Sequence, residues 1–268
     1  RNKILLSVVF ASGEEALHNA MDGVVSRCVE QVDEINEKVK FMQEARLSNV
    51  LIAKVLDTYR RYDDDNEARI PHPEFPFCST STDGMDVLNR AMVYHINGKH
   101  IRLVGEKGCG KNTLIETVCW LMRRPLYRLS GSSDMDKTDL IGAKTIEDGT
   151  MSYELTDFLR TLEAGGDVDL DEANTIKPDI AVLIHSLTDT TRAIEIPGYG
   201  RVTMDPLASF WMTMNEDYVG TGDMNDATID RFVTLRLKAE SNIKSLLKER
   251  VPTATDEALN FCQKVYAD

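Results

Sequence analysis

The chain of 268 residues lacks any apolar run long enough to cross a membrane: the stretch at residues 4–11 is far short of the ~20 residues a spanning helix needs. Basic residues are also in deficit, with 31 Lys and Arg against 44 Asp and Glu and a formal charge of −13. A surface built to neutralise phosphate backbones needs clustered Lys and Arg, so this balance disfavours a nucleic-acid partner and leaves room only for a local basic pore. Cysteine is sparse and unpatterned. Cys28, Cys78, Cys109, Cys119 and Cys262 are odd in number and show no C-x-x-C spacing, which argues against a disulfide framework or a zinc site. His18, His72, His95, His100 and His185 are equally dispersed, none beside a second metal-ligating residue. No short-period repeat or low-complexity block interrupts the chain. The expectation is a folded, cytoplasmic protein without a membrane segment.

What is present divides into two styles of sequence. Over residues 14–61, Val24, Val25, Cys28, Val32, Ile35, Val39 and Met42 recur at threes and fours among charges, which predicts a helical hairpin that packs or oligomerises. Asp63, Asp64, Asp65 and Asn66, followed by Pro71, Pro73 and Pro76, have the composition of a linker. Beyond it the pattern alternates. Strands are expected at 101–104, 126–129, 168–170, 210–214 and 232–237, and helices at 114–121, 153–162 and 178–187. Strands separated by helices imply an α/β fold, a mostly parallel sheet sandwiched by helices with its ligand site at the strand carboxyl ends. The organisation expected is an N-terminal helical segment (1–70), a nucleotide-binding α/β domain (71–238) and the start of a helical lid (239–268).

The chemistry concentrates at those strand ends. Gly105, Glu106, Lys107, Gly108, Cys109, Gly110, Lys111, Asn112 and Thr113 follow a strand and open a helix. Glycines let backbone N–H groups turn inward around phosphates, the helix N-terminus adds a favourable dipole, and Lys111 can reach the β and γ oxygens. Asn112 stands where a Ser or Thr hydroxyl normally meets Mg²⁺; its amide oxygen can serve as a hard ligand, or a water can bridge. About sixty residues on, a strand ends in Asp171 and Glu172, suited to holding Mg²⁺ and to orienting or deprotonating an attacking water. The alternative for this stretch is a solvated acidic turn. Asp167 and Asp169 make the strand unusually acidic and, if buried, need partners. Asn215 closes the apolar strand 210–214, where it can bond the attacking water or the γ-phosphate, or simply make a turn. Arg231 precedes the last strand and suits an arginine finger, a guanidinium given to a neighbouring subunit's γ-phosphate, or else a salt bridge to Asp230.

Taken in this order, these residues resemble the AAA+ ATPases of the MoxR type and their relatives CbbQ and McrB. Residues 105–113 are similar to the Walker A loop, 168–172 to the Walker B strand, Asn215 to sensor 1 and Arg231 to the finger. Asp139-Leu140-Ile141-Gly142, Glu147-Asp148-Gly149 and a helix from Tyr153 look like the family's pore-facing insert, and residues 192–203, with the turn Gly198-Tyr199-Gly200, like the hairpin before sensor 1. The resemblance implies ATP, with GTP as the alternative, and Mg²⁺ as cofactors, and a homo-oligomer, a hexameric ring with sites between subunits. It further implies that hydrolysis remodels or activates a client protein. A McrB-like motor in nucleic-acid restriction and a nucleotide-gated scaffold with little hydrolysis are the competing readings. No residue matches a second sensor in the lid.

Overall fold

In the computed structural model, which describes residues 13–27, 32–77, 86–147, 150–215, 226–238, 247–248, 251 and 253–267, the expected alternation forms. The leading helices are α1 (Gly13–Arg27), α2 (Val32–Glu44), α3 (Asn49–Asp57), α4 (Asp64–Glu67) and α5 (Val87–Ile96). There follow β1 (His100–Gly105), α6 (Lys111–Leu121), β2 (Leu126–Ser130), α7 (Lys137–Ile141), β3 (Gly142–Glu147), β4 (Thr150–Leu155) and α8 (Asp157–Ala164). The remainder is β5 (Asp167–Asp171), a 3-10 turn (Ala173–Thr175), α9 (Pro178–Thr188), β6 (Ala193–Ile196), β7 (Gly200–Thr203), β8 (Phe210–Met214), α10 (Asp226–Ile229), β9 (Phe232–Leu237) and α11 (Asp256–Ala267).

Five strands form one sheet in the order β2-β5-β8-β1-β9, every pair parallel. Its two faces are read directly from period-two alternation. On β8, Phe210 and Met212 join the apolar cluster containing α8 and α9, whereas Trp211 joins the cluster containing α1, α2, α3, α5 and α6. On β5, Val168 and Leu170 enter the first cluster, so Asp167, Asp169 and Asp171 share the opposite face. The helical segment before residue 71 thus contributes to the same core as the sheet. Tyr59 donates to the Leu121 carbonyl, and Lys38, fully buried, lies over the rings of Tyr59 and Trp120.

Three local expectations change. The helical hairpin is three helices. Arg46, at φ 62°, follows the end of α2, Ser48 caps α3 by accepting from the Leu51 N–H, and α1 packs against α3. The stretch with linker composition carries α4, capped by Asp63, and its flanks are tied down by Arg123 to Glu67 and Arg69 to Asp157. Tyr153 lies in a strand and not a helix. β3 and β4 pair antiparallel, the Tyr153 hydroxyl donates to the Gly142 carbonyl, and α8 starts only after Thr156, whose extended backbone and side-chain oxygen supply the cap. The expected turn at residues 198–200 is present, joining β6 and β7 as an antiparallel hairpin. Asp148, Gly149, Cys28, Cys78 and residues 239–246, 249, 250, 252 and 268 of the expected lid lie outside the described residues.

Candidate functional site

β1 lies between β8 and β9: from it the chain crosses to β2 at the far edge of the sheet, returns through β5 to β8, and then passes to β9 on the other side of β1. Such a switch point opens a crevice at the strand carboxyl ends. There β1 stops at Gly105, where a Cβ would collide with the Leu237 carbonyl of β9, so only glycine lets the loop leave this close to the sheet. Gly108 and Gly110 take φ values of 82° and 89°, and Gly110 becomes the left-handed cap of α6 without any side-chain acceptor. The first N–H groups of α6 therefore keep their capacity for an anion. Phe77 backs the loop: its ring would meet a Cβ on Gly110 at 3.2 Å, and its N–H donates to Thr117 Oγ1 at 2.7 Å.

Lys111 is the electrostatic centre. It is only 9% exposed, and its ammonium donates to the carbonyls of Gly105 (2.8 Å) and Glu106 (2.9 Å) and to Asn215 Oδ1 (2.9 Å). All three acceptors are neutral, and among the described residues Lys111 has no ion pair, so a buried positive charge is left for an anionic ligand to compensate. Cys109 Sγ lies 3.9 Å from the ammonium, and burial pushes its thiol up, which argues against a reactive thiolate.

Opposite stands the end of β5. Asp171 Oδ1 accepts from the Thr213 hydroxyl and from the Glu172 N–H at 3.0 Å; Oδ2 accepts from Asn112 Nδ2 at 3.4 Å. With its amino group turned to Asp171, Asn112 has an amide oxygen that accepts no hydrogen bond among the described residues. Glu172 is exposed and held at φ 52°, ψ 41°, an uncommon conformation for a residue with a side chain and one that recurs at functional sites. Gly131 explains how β2 packs there: its N–H donates to the Asp171 carbonyl at 2.7 Å, and a Cβ would stand 2.7 Å from the Glu172 carbonyl.

Together, Lys107, Gly108, Gly110, Lys111, Asn112, Thr113, Asp171, Glu172 and Asn215 line one cleft of about 340 Å³. Gly105, Glu106 and Cys109 do not line it; the carbonyls of the first two accept from Lys111. Among the described residues no three His, Cys, Asp or Glu side chains gather as a metal cage. Asp171 and Asn112 instead form a two-ligand half-site, and Mg²⁺ usually takes one or two carboxylates with the rest of its shell from water and phosphate. The donor set fits a phosphate-bound Mg²⁺.

Arg231 is not in this cleft. It precedes Phe232, which pairs with His100, whereas the phosphate loop follows Gly105, which pairs with Leu237. Five strand residues, roughly 17 Å at ~3.3 Å each, separate the two ends. Arg231 donates to the Ala227 carbonyl and makes no ion pair with Asp230 among the described residues. Thr213 and Phe77 escaped the sequence reading. Thr213 had a usable signal, since it sits two residues before Asn215 and so points to the same face; Phe77 had none.

Asp167 and Asp169 have the partners that burial demands. Asp167 accepts from Trp211 Nε1 at 2.9 Å and the Ser209 N–H at 3.0 Å and lies 2.6 Å from His95 Nε2. Burial pushes its carboxyl up, but His95 and the Trp211 N–H outweigh it and hold the group below the usual carboxylate range. Asp169 pairs with Arg128 at 2.8 Å, yet burial prevails and pushes it up to about 6.

Comparison with known proteins bears on the family and the fold. Residues 100–232 match the family described as AAA domain (dynein-related subfamily). An uncharacterized protein of Staphylococcus aureus (strain bovine RF122 / ET3-1) is 30% identical over 190 residues, covering 68% of this chain and 72% of its own length. One from Staphylococcus epidermidis (strain ATCC 12228) is 29% identical over 178 residues, 63% of this chain and 68% of the relative. The crystal structure of a candidate ATPase from Cytophaga hutchinsonii superposes with a TM-score of 0.50 at 17% identity, over 81% of this chain and 60% of that one. At that identity the likeness shows the fold alone.

Proposed function

From the premise that the chain belongs to the AAA-domain family, we propose that it is an ATP-hydrolysing ring ATPase, of the MoxR-like type, whose sites lie between copies and whose turnover remodels a client protein. The observation that carries the nucleotide reading is Lys111, a buried ammonium with three neutral acceptors and, among the described residues, no carboxylate, at the mouth of a glycine loop and an uncapped helix. In this reading residues 107–113 cradle the β and γ phosphates, and Lys111 shifts from the Gly105 and Glu106 carbonyls onto phosphate oxygens. Asp171 and Asn112 hold Mg²⁺, which supplies charge neutralisation on those oxygens when bound. Glu172, exposed and held by a left-handed backbone, orients and deprotonates the water, and Asn215 steadies it. Arg231, roughly 17 Å along the sheet from its own loop by strand rise, serves a neighbouring copy's nucleotide. That distance supports homo-oligomerisation, and a hexamer is the ring size proposed.

The client half of the proposal has its own support. The hairpins β3–β4 and β6–β7 touch through Tyr153 and Tyr199, ring centroids 5.6 Å apart, and display Ile146 (73% exposed) and Tyr199 (47% exposed). Paired apolar tips suit an extended polypeptide better than a phosphate backbone. Sizing with ATP, GTP and no nucleotide, alongside phosphate release for wild type and Lys111→Ala, tests the reading. Nucleotide-dependent assembly and turnover lost in Lys111→Ala are expected. Identical behaviour of the two proteins in both assays overturns it.

A further inference from the structure

The turn that carries Arg231 is joined to another helix by a hydrogen bond. His185 Nε2 on α9 lies 2.6 Å from Thr228 Oγ1 on α10, across 43 residues of chain. Thr228 is fully buried, and its hydroxyl needs a partner there. The Thr228 carbonyl accepts the Arg231 N–H at 3.2 Å, and the Arg231 guanidinium donates to the neighbouring Ala227 carbonyl. The guanidinium is also close enough to help depress the His185 imidazole, after burial, and to help hold the Asp189 carboxyl down, after the Thr191 hydrogen bond and against the small lift from burial. The last turn of α9 therefore grips the turn that presents the arginine.

The other end of α9 follows shortly after the proposed nucleotide site in the chain. Only the 3-10 turn and two residues separate Glu172 from Pro178. Ile180, Ile184 and Leu187 bury one side of α9 in the core and fix it as a rigid rod of 11 residues, about 16 Å at ~1.5 Å each. We infer that His185 is a positioning residue: through its bond to Thr228 it fixes Arg231 in the pose a neighbouring copy needs and ties that pose, along α9, to the state of the chain's own Asp171–Glu172 turn. The inference rests on the proposed role of Arg231 in trans, and the test separates the two.

Phosphate release and binding of a fluorescent ATP analogue with Mg²⁺ are measured for wild type, Arg231→Ala, His185→Ala, His185→Gln, Thr228→Val and His185→Ala/Arg231→Ala. His185→Ala and Thr228→Val are expected to lower kcat about tenfold with nucleotide affinity within about twofold of wild type, because neither touches the chain's own cleft. His185→Gln, which keeps a polar group of similar reach, recovers most of the rate. The double variant is no slower than Arg231→Ala, since His185 acts only through the arginine. A His185→Ala rate equal to wild type beside a crippled Arg231→Ala overturns the inference and spares the finger. So does a loss that Gln does not recover, one that tracks lost nucleotide binding, or one that adds to that of Arg231→Ala. Wild-type turnover in Arg231→Ala overturns the finger itself.

Discussion

The two ends of strand β5 carry the same side chain and do different things. Asp167 opens the strand with its oxygens engaged by His95, Trp211 and the Ser209 N–H, sealed from solvent. Asp171 ends it on the same face, partly open, bonded to Thr213 and to an Asn112 amide that is long at 3.4 Å. Asp169, between them, pairs with Arg128 and is pushed up to about 6. Saturation separates a structural carboxylate from one with capacity for a ligand: an interior charge persists only with a full set of partners, whereas a partly satisfied one at a sheet's carboxyl rim can take a cation.

The largest effect should fall at the open end. Glu172→Gln and Lys111→Ala are expected to lower turnover at least about a hundredfold, Glu172→Gln with nucleotide binding retained and Lys111→Ala without it, measured by phosphate release and analogue binding. At the sealed end the loss is in stability. Asp167→Ala strands the Trp211 and Ser209 donors and should cost about 3–5 kcal/mol in urea unfolding, whereas Asp171→Ala should cost on the order of 1 kcal/mol and abolish turnover. Equal destabilisation by both would erase the contrast.

The sealed end also carries an acid sensitivity. His100 accepts the Phe210 N–H at 3.2 Å; burial first, then Arg192, lowers its imidazole from 6.5 to about 3. The folded chain thus binds this proton less readily than the unfolded chain, so the contribution is complete above pH 6.5 and lost as pH falls toward 3. His100→Asn, which keeps an acceptor for Phe210, should flatten that limb of the stability profile in urea melts at stepped pH. The smallest effect expected is at Asn112. Replacing it by Thr should tighten Mg²⁺ severalfold, by roughly 1 kcal/mol, in a Mg²⁺ titration of analogue binding, since a hydroxyl can serve Asp171 and the cation together. Unchanged Mg²⁺ affinity would mean the amide is already an adequate ligand.

Much of this was legible from the sequence, for identifiable reasons. The strands at 210–214 and 232–237 coincide with β8 and β9, because apolar runs bounded by polar turns leave little freedom. The cleft residues from Lys107 to Asn215 were legible because their positions follow strand ends. The partners of the buried acids were not: His95, Arg128 and Trp211 are scattered through the chain and meet Asp167 and Asp169 only once α5, β2 and β8 pack beside β5. Tyr153 was misread as helical because alternation over β4 is short, and the deciding signal was one capping residue, Thr156. The linker composition was real, but Glu67 and Arg69 have partners over 50 residues away, and no local pattern reports them.

The central claim is that each site is completed by a second copy, and mixing tests it directly. Arg231→Ala keeps its own cleft intact, and Glu172→Gln keeps its arginine, so each protein alone should be nearly inactive. In an equimolar mixture with ATP and Mg²⁺, about a quarter of random neighbour pairs join an intact cleft to an intact arginine, and phosphate release should rise well above the sum of the separate proteins, with nucleotide-dependent assembly over the same concentration range. A mixture no faster than that sum, from proteins that co-assemble, would contradict a site shared between copies.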